Sequence, residues 1–338
     1  MYYGVDILGM NEYATGLIRV LEKNVTDRND LIRMIDSPEA KNAFSVLNDT
    51  DIKDNLLGLE ADDFEIAIKR DNEQLKKFIK KLANRALYRL VFLEEDFFNL
   101  KLAVKEKISG IHIEKEEYSS LGTINPVKIR NAIKNKTNLE NYPAFKKTVA
   151  IIKNLIKKKN ENKFIEAVID AEYFQCALTL SREIKSAIAT DFYKLTIDVS
   201  NIKNMFRAKK IGLPLKEIKK QLIKGGAISI EKLADTIKTE DQNLINFLKK
   251  QIEFSKEWEN IWEEFSSNYN IVLLEKNLEL FALNRLKEEV KKISGGPEII
   301  FHYAIMKKTM NTNIRLIMTG KINNIPIEEI KMRLKNII

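Results

Sequence analysis

Few side chains in this chain of 338 residues could do chemistry, and their spacing does not favour catalysis. There are two histidines. His112 opens HIEKEEY, where Glu114, Glu116 and Glu117 would be the other ligands of a metal ion; the spacing matches no established site and reads as a solvated acidic loop. His302, between Phe301 and Tyr303, is expected to pack or to hydrogen-bond. The single cysteine, Cys176, precedes Ala177 and Leu178 on an apolar stripe and reads as buried filler. One thiol cannot form an internal disulfide, which fits a reducing cytoplasm. Gly320-Lys321 lacks the upstream Gly and the following Ser or Thr of a phosphate loop, and no GxGxxG occurs. Asp62-Asp63 and Glu94-Glu95 are adjacent pairs that point in different directions on a helix and make poor acid/base partners. The expectation is a chain with no catalytic residue, no cofactor and no metal.

What recurs instead is an asparagine. DVSNIKNMFRAKKIGLPLKEIKKQL (198–222) aligns without a gap on MNTNIRLIMTGKINNIPIEEIKMRL (310–334), with eight identities in twenty-five, among them Asn201 with Asn313, Lys209 with Lys321 and Pro214 with Pro326. A fainter copy lies in EDFFNLKLAVKEKISGIHI, with Asp96, Asn99, Leu100, Lys101, Lys107 and Gly110. In each copy a Lys follows the Asn by eight residues, and Gly110, Gly212 and Asn324 follow it by eleven. A period of about a hundred residues exceeds the ~20–50 of solenoid repeats, so each copy is large enough to be a helical unit. Asn is a mediocre helix former with a donor and an acceptor on a short arm, so at a packed helix end it is expected to cross-link backbone groups. The alternative is that Asn99, Asn201 and Asn313, with Lys101, Lys203 and Arg315 two residues on, line a surface that meets a partner.

The elements that must position these residues read as helices almost throughout. Apolar residues recur at three and four, and six Pro and twelve Gly leave little punctuation. Thr26, Asn125 and Ser229 are expected to cap the first helix of each unit, Asn125 with Pro126 at the first helical position. Gly122 and Gly226 match upstream of two of these caps. The units therefore run 26–124, 125–228 and 229–338, after a leading segment 1–25. Long amphipathic helices are expected at 75–92, 164–180 and 271–290. Lys224-Gly225-Gly226 reads as a helix stop.

A 44% hydrophobic content suffices for a sizeable core. Unbroken apolar runs fall far short of a membrane span, and MYYGVDILGM is a poor secretion signal. The net charge of +9 is uneven: 49–73 is acidic, whereas 146–163 and 201–224 are Lys-rich. Such stretches are solvated helix faces or a surface for nucleic acid, acidic protein or anionic lipid. Lys far outnumbers Arg there and no aromatic-interleaved recognition motif accompanies it, which argues against nucleic acid.

Taken together, Asp96-x-x-Asn99-Leu100-Lys101, LGTINPVKI, AEYFQCAL, DVSNIKNMFRAKKIGLP, LIKGGAISIEKL and NIRLIMTGKINNIPIEEIKMRL resemble the C subunit of archaeal and bacterial V/A-type ATPases, the counterpart of the eukaryotic d subunit. The likeness covers the chain from about residue 85 onward; 1–84 matches more by length and helical character. Met310 stands where the family usually has an acidic residue, and Asn324 where it usually has Gly. The resemblance implies an all-α fold of three similar helical units about a pseudo-threefold axis, shaped as a funnel. It implies a non-catalytic rotor component that joins the central-shaft subunits to the membrane proteolipid ring, with proton or sodium transport carried by the ring. The chain would then be cytoplasmic and peripheral to the membrane. The competing expectations are a basic helical nucleic-acid-binding protein, which would bind with steep salt dependence, and a metal-dependent enzyme.

Overall fold

The computed structural model describes residues 7–134, 136–137, 139–158, 164–237, 239–251 and 255–335, with side chains from residue 12. Among them every regular element is helical and there is no strand. The helices pack as two compact units: the described residues of Met1–Asn84 with those of Glu257–Ile338, and the described residues of Arg85–Lys256. The first joins residues from both ends of the sequence.

The N-terminal part of the first unit holds α1 (Ile7–Leu21), α2 (Arg28–Asp36), α3 (Ala40–Val46) and α4 (Phe64–Leu82). The cap of α2 is Asp27, one residue after the expected Thr26. Its carboxylate accepts from the amides of Asn29 and Asp30 while the Asp30 carboxylate accepts from the Asp27 amide, a reciprocal pair. Thr26 is buried and bonded to Asp51 instead. The helix expected at 75–92 is broken: α4 ends at Leu82, Ala83 turns extended, and a new helix starts at Arg85.

The second unit contains α5 (Arg85–Val91), α6 (Leu93–Ser109), α7 (Pro126–Ile133), α8 (Pro143–Lys157), α9 (Ile165–Glu183), α10 (Ala187–Lys210), α11 (Leu215–Gln221), α12 (Ile230–Thr236) and α13 (Asp241–Lys249). Asn125 and Ser229 cap α7 and α12 as expected, accepting from the Val127 and Lys232 amides. Helices α5, α6 and α8 pack on α9, and α10 packs on α9 and α11. Phe97 meets the ring edges of Phe145 and Tyr173 at the centre of this core.

The first unit is completed by α14 (Lys256–Asn268), α15 (Ile271–Lys291), α16 (Pro297–Ile322) and α17 (Ile327–Arg333). Trp258 and Trp262 on α14 are fully buried, and Trp258 meets Phe281 of α15 in a tilted ring contact. Helix α16 runs through this core and packs against α1, α2, α3, α4, α15 and α17. Among the described residues no helix is long and apolar enough to cross a membrane.

Candidate functional site: an asparagine clamp built three times

Asn99, Asn201 and Asn313 lie on α6, α10 and α16 and are at most 1% exposed. Each amide holds one residue of the following segment by both of its backbone groups. Asn99 donates from Nδ2 to the Ser119 carbonyl (2.9 Å) and accepts from the Ser119 amide at Oδ1 (2.8 Å). Asn201 does the same to Ile223 (2.8 and 2.7 Å), and Asn313 to Lys335 (2.6 and 3.0 Å). Only a primary amide offers a donor and an acceptor side by side; Asp would repel the carbonyl and Leu would leave both groups unpaired.

The chain is delivered to each clamp by the same sequence of turns. Gly110, Gly212 and Asn324 all adopt left-handed backbone, with φ of 72°, 70° and 53°. This conformation ends the helix, and Asn is the best substitute for Gly in it. Beyond it, α11 and α17 begin after Pro214 and Pro326 and end in the extended residues Leu222 and Leu334, immediately before the clamped residue. The first copy replaces this short helix by a single turn at Lys115–Glu117, followed by extended Tyr118.

A second clamp acts three residues earlier on the helix. Asp96 accepts from the Thr123 hydroxyl (2.7 Å) and the Ile124 amide (2.8 Å); Asp198 accepts from the amides of Ala227 (2.8 Å) and Ile228 (3.1 Å). Ile124 and Ile228 immediately precede the caps Asn125 and Ser229, so each carboxylate fixes the entry of the next helix. Gly122 and Gly226 make room: a Cβ on either would run into the Asp96 or Asp198 carboxylate. Lys224-Gly225-Gly226 is therefore not a helix stop, because α11 has already ended at Gln221 and Gly226 is there for the close approach of Asp198. Burial pushes the Asp198 carboxyl up to about 6, against the two amides that favour its charged form.

In the third copy Met310 has no acceptor, yet the equivalent amide is still held by a carboxylate. Thr26, the residue before the cap Asp27, donates its amide and its hydroxyl to Asp51 Oδ1 (3.1 and 3.0 Å). Lys307 on α16 bridges Asp51 (2.6 Å) and Asp71 (2.9 Å), and Asn311 donates to Asp71 (2.7 Å) and Asn72 (3.1 Å). Burial alone would lower the Lys307 ammonium, but Asp71 and Asp51 outweigh it and hold the group above the usual lysine range.

Two of the repeated lysines, Lys209 and Lys321, also do matching work. Lys209 donates to the Thr239 carbonyl and pairs with Asp241, and Lys321 donates to the Ser37 carbonyl. Thr239 and Ser37 each stand ten residues past their caps, Ser229 and Asp27. The basic residues two beyond each Asn are more exposed: Lys101 pairs with Asp170 (2.6 Å), Arg315 lays its fork on Glu65 (2.7 and 2.9 Å), and Lys203 is half-buried.

The remaining chemistry-bearing residues lie elsewhere. Glu106, beside the first clamp, is 6% exposed and accepts from Arg130, Lys134 and Tyr118. Burial would raise its carboxyl, but the bonds from Lys134, Arg130 and Tyr118 bring it down to about 2. His112 accepts from Arg130 at Nδ1 (2.7 Å), which leaves Nε2 3.7 Å from Glu114. Among the described residues no group of three His, Cys, Asp or Glu side chains is placed to hold a metal ion. His302 is buried with Nδ1 3.0 Å from Glu22. Cys176 is buried against the Thr148 hydroxyl, and burial pushes its thiol up to about 11.

These features define an all-helical protein organised by a recurring side-chain-to-backbone clamp. The chain belongs to the ATP synthase (C/AC39) subunit family, whose model matches residues 14–333. It is similar to the C subunit of the A-type ATP synthase of Pyrococcus horikoshii, with 24% identity over 82% of this chain and 77% of that protein. The C subunit of the Pyrococcus furiosus A-type ATP synthase is 23% identical over 94% of this chain and 88% of its own length. That of Thermococcus gammatolerans is 25% identical, with 65% of this chain spanning 62% of the relative, just under two thirds of its length.

Proposed function

We propose that the chain is a non-catalytic part of the central rotor of a V/A-type ATPase, a socket that couples the central-shaft subunits to the membrane proteolipid ring. The observation that carries this reading is the family match, which runs over nearly the whole chain. The recurring clamp supports it, since three similar helical units, 26–124, 125–228 and 229–338, would suit a part that grips a shaft about an approximate threefold axis as a funnel does. A body with no membrane-crossing helix of its own among the described residues would reach a membrane rotor by docking on protein already there, at the cytoplasmic face. In this reading Lys101, Lys203 and Arg315 are the clamp-adjacent residues that would meet a partner, while the three asparagines hold the fold.

Reconstitution of the rotary complex with and without the chain tests the proposal. ATP-driven ion pumping is expected to lose its coupling without it, and the purified chain is expected to bind shaft and ring and to hydrolyse no ATP. Equal pumping efficiency in its absence, or binding to neither partner, would overturn the assignment.

A further inference from the structure

Most lysines of the stretches 146–163 and 201–224 take no part in the clamps, and the second unit brings described residues of both stretches to one end. Pro143 and Ala144 of α8 line a cavity with Leu180 and Glu183 of α9, and the Thr148 hydroxyl meets Glu172 (3.2 Å) and Cys176 (3.8 Å). Helix α8 therefore runs back along α9, and its last turn, at Lys157, lies level with the start of α9. Helix α10 leaves α9 through a short turn, where the Thr190 hydroxyl donates to Ser181 (3.0 Å), and packs along it. Its far end returns to the same place: Lys220 of α11 lies 4.7 Å over the ring of Phe164, the residue before α9.

This end is cationic with an apolar tip. Among the described residues of the two stretches Glu217 is the only acid and Arg207 the only arginine. Lys157, Lys158, Lys210, Lys216 and Lys219 are exposed, and no ion pair holds them among the described residues. The helix dipole accounts for cations in the last turns of α8 and α10, but not for Lys216 in the first turn of α11. Nor does the fold require these lysines. The same element in the third copy, ending in α17, has Ile322, Glu328 and Met332 where this one has Lys210, Lys216 and Lys220. At the turn between α10 and α11 stands Ile211, 71% exposed, where the third copy has Asn323; Leu213 and Leu215 beside it are half-buried.

The chemistry of this surface selects its partner. Nucleic acid is bound through arginine forks and stacking rings, whereas here Phe206 is buried and Phe164 is half-buried beneath Lys220. An acidic protein needs charges held in a fixed register, and these ammonium groups stand on flexible stems that no bond locks in place. A layer of anionic headgroups asks for no register. Each lysine acts on it as a point charge, and an exposed aliphatic side chain enters the apolar boundary beneath. We propose that this end of the second unit, formed by the last turn of α8, the turn at Ile211 and α11, binds an anionic lipid surface, with Ile211 entering it and the lysines on the headgroups. The surface belongs to the isolated chain, so its test does not depend on the rotor reading.

Cosedimentation of the full chain with vesicles decides it, comparing phosphatidylcholine alone with a mixture of phosphatidylcholine and phosphatidylglycerol. Binding to the anionic vesicles is expected to be tighter by about tenfold or more and to weaken with salt. The variant Ile211→Asn/Lys216→Glu/Lys220→Met carries the residues of the third copy, so it is expected to melt as the wild type does and to lose about tenfold or more of that affinity. Lys77→Glu/Lys80→Met, at exposed positions of α4, makes the same change in net charge and is expected to cost less than roughly threefold. Equal binding to both kinds of vesicle would overturn the proposal, as would equal losses in the two variants, which would trace binding to net charge alone. Tighter binding to an RNA oligonucleotide or to polyglutamate than to the anionic vesicles, lost in the first variant, would also overturn it and assign the surface to that polymer. Should the first variant fail to fold, Lys157→Glu/Lys158→Glu at the exposed end of α8 decides by the same comparison.

Discussion

The joints at α6 and α10 and the joint at α16 meet one geometric requirement with different residues. In every case the amide just before a helix cap, at Ile124, Ile228 or Thr26, is bonded to a carboxylate. In the first two it comes from the helix that also carries the Asn; in the third it is Asp51, from the same N-terminal segment as Thr26, and a buried lysine from α16 neutralises it. What is preserved is a charge at a place, not a residue at a position. The amide clamp is the opposite case, since Asn99, Asn201 and Asn313 are identical in type and in bonding. No other side chain donates and accepts side by side over so short an arm.

The largest expected effect breaks the joint that differs. Lys307→Leu leaves Asp51 and Asp71 facing each other in a buried site, a loss of about 3–5 kcal/mol by analogy with other broken buried pairs. Thermal or denaturant unfolding measures it. A loss below that of the Asn substitutions would mean that water already solvates Asp51 and Asp71, and that the ionic centre contributes little to closing the unit.

Next come the clamps themselves. Asn99→Ala, Asn201→Ala and Asn313→Ala each leave one buried amide and one carbonyl unpaired, at about 1–3 kcal/mol apiece. Similar losses at all three positions would establish the clamps as energetic equals. A marked excess at Asn201 and Asn99 over Asn313 would show that the clamp depends on the Asp three residues before it, which the third copy lacks.

The clamp was legible in the sequence because it is local and repeated. The asparagines, the lysines eight residues on and the left-handed position eleven on could be aligned by eye, and the amide's two-sided chemistry named its role. Asp51, Asp71 and Lys307 were not legible, because their partnership spans more than 200 residues and replaces the repeat's own pattern at the one point where an aligned reading sees only Met310. The boundary errors have local causes. Asp27 displaces Thr26 as the cap because Asp30 completes a reciprocal pair with it. The 75–92 stripe hides a break at Ala83, where apolar periodicity continues although the backbone turns. Gly226 resembles a helix cap in sequence, but its purpose lies with Asp198, twenty-eight residues earlier.

Acid sharpens the comparison through two carboxylates with opposite shifts. The Asp198 carboxyl, raised from 3.8 to about 6, binds its proton more tightly in the folded chain. Its contribution is greatest below 3.8 and falls as pH rises through 6. Glu106, lowered from 4.5 to about 2, contributes fully above 4.5 and loses its contribution as pH falls toward 2. The melting advantage of the wild type over Asp198→Asn should therefore shrink between pH 4 and 7, whereas that over Glu106→Gln should grow from pH 2.5 to 5. Parallel trends in the two comparisons would contradict the assigned shifts.

The smallest expected effect separates fold from interface at the clamp. Lys101 and Asp170 have side chains 41% and 48% exposed, and Arg315 and Glu65 47% and 51%. Pairs so well solvated gain little, because water already screens the charges and the long side chains lose freedom on pairing; about 0–1 kcal/mol each is the usual range. Lys101→Ala and Arg315→Ala should thus melt within a few degrees of wild type. The asparagines two residues earlier should not, although they sit on the same helices. If the basic residues meet the shaft or the ring, the same variants will lose affinity for that partner at unchanged stability, and the loss will diminish with salt because an exposed charge acts through screened fields. Full binding in both variants would remove these positions from any interface and leave the motif as a folding element alone.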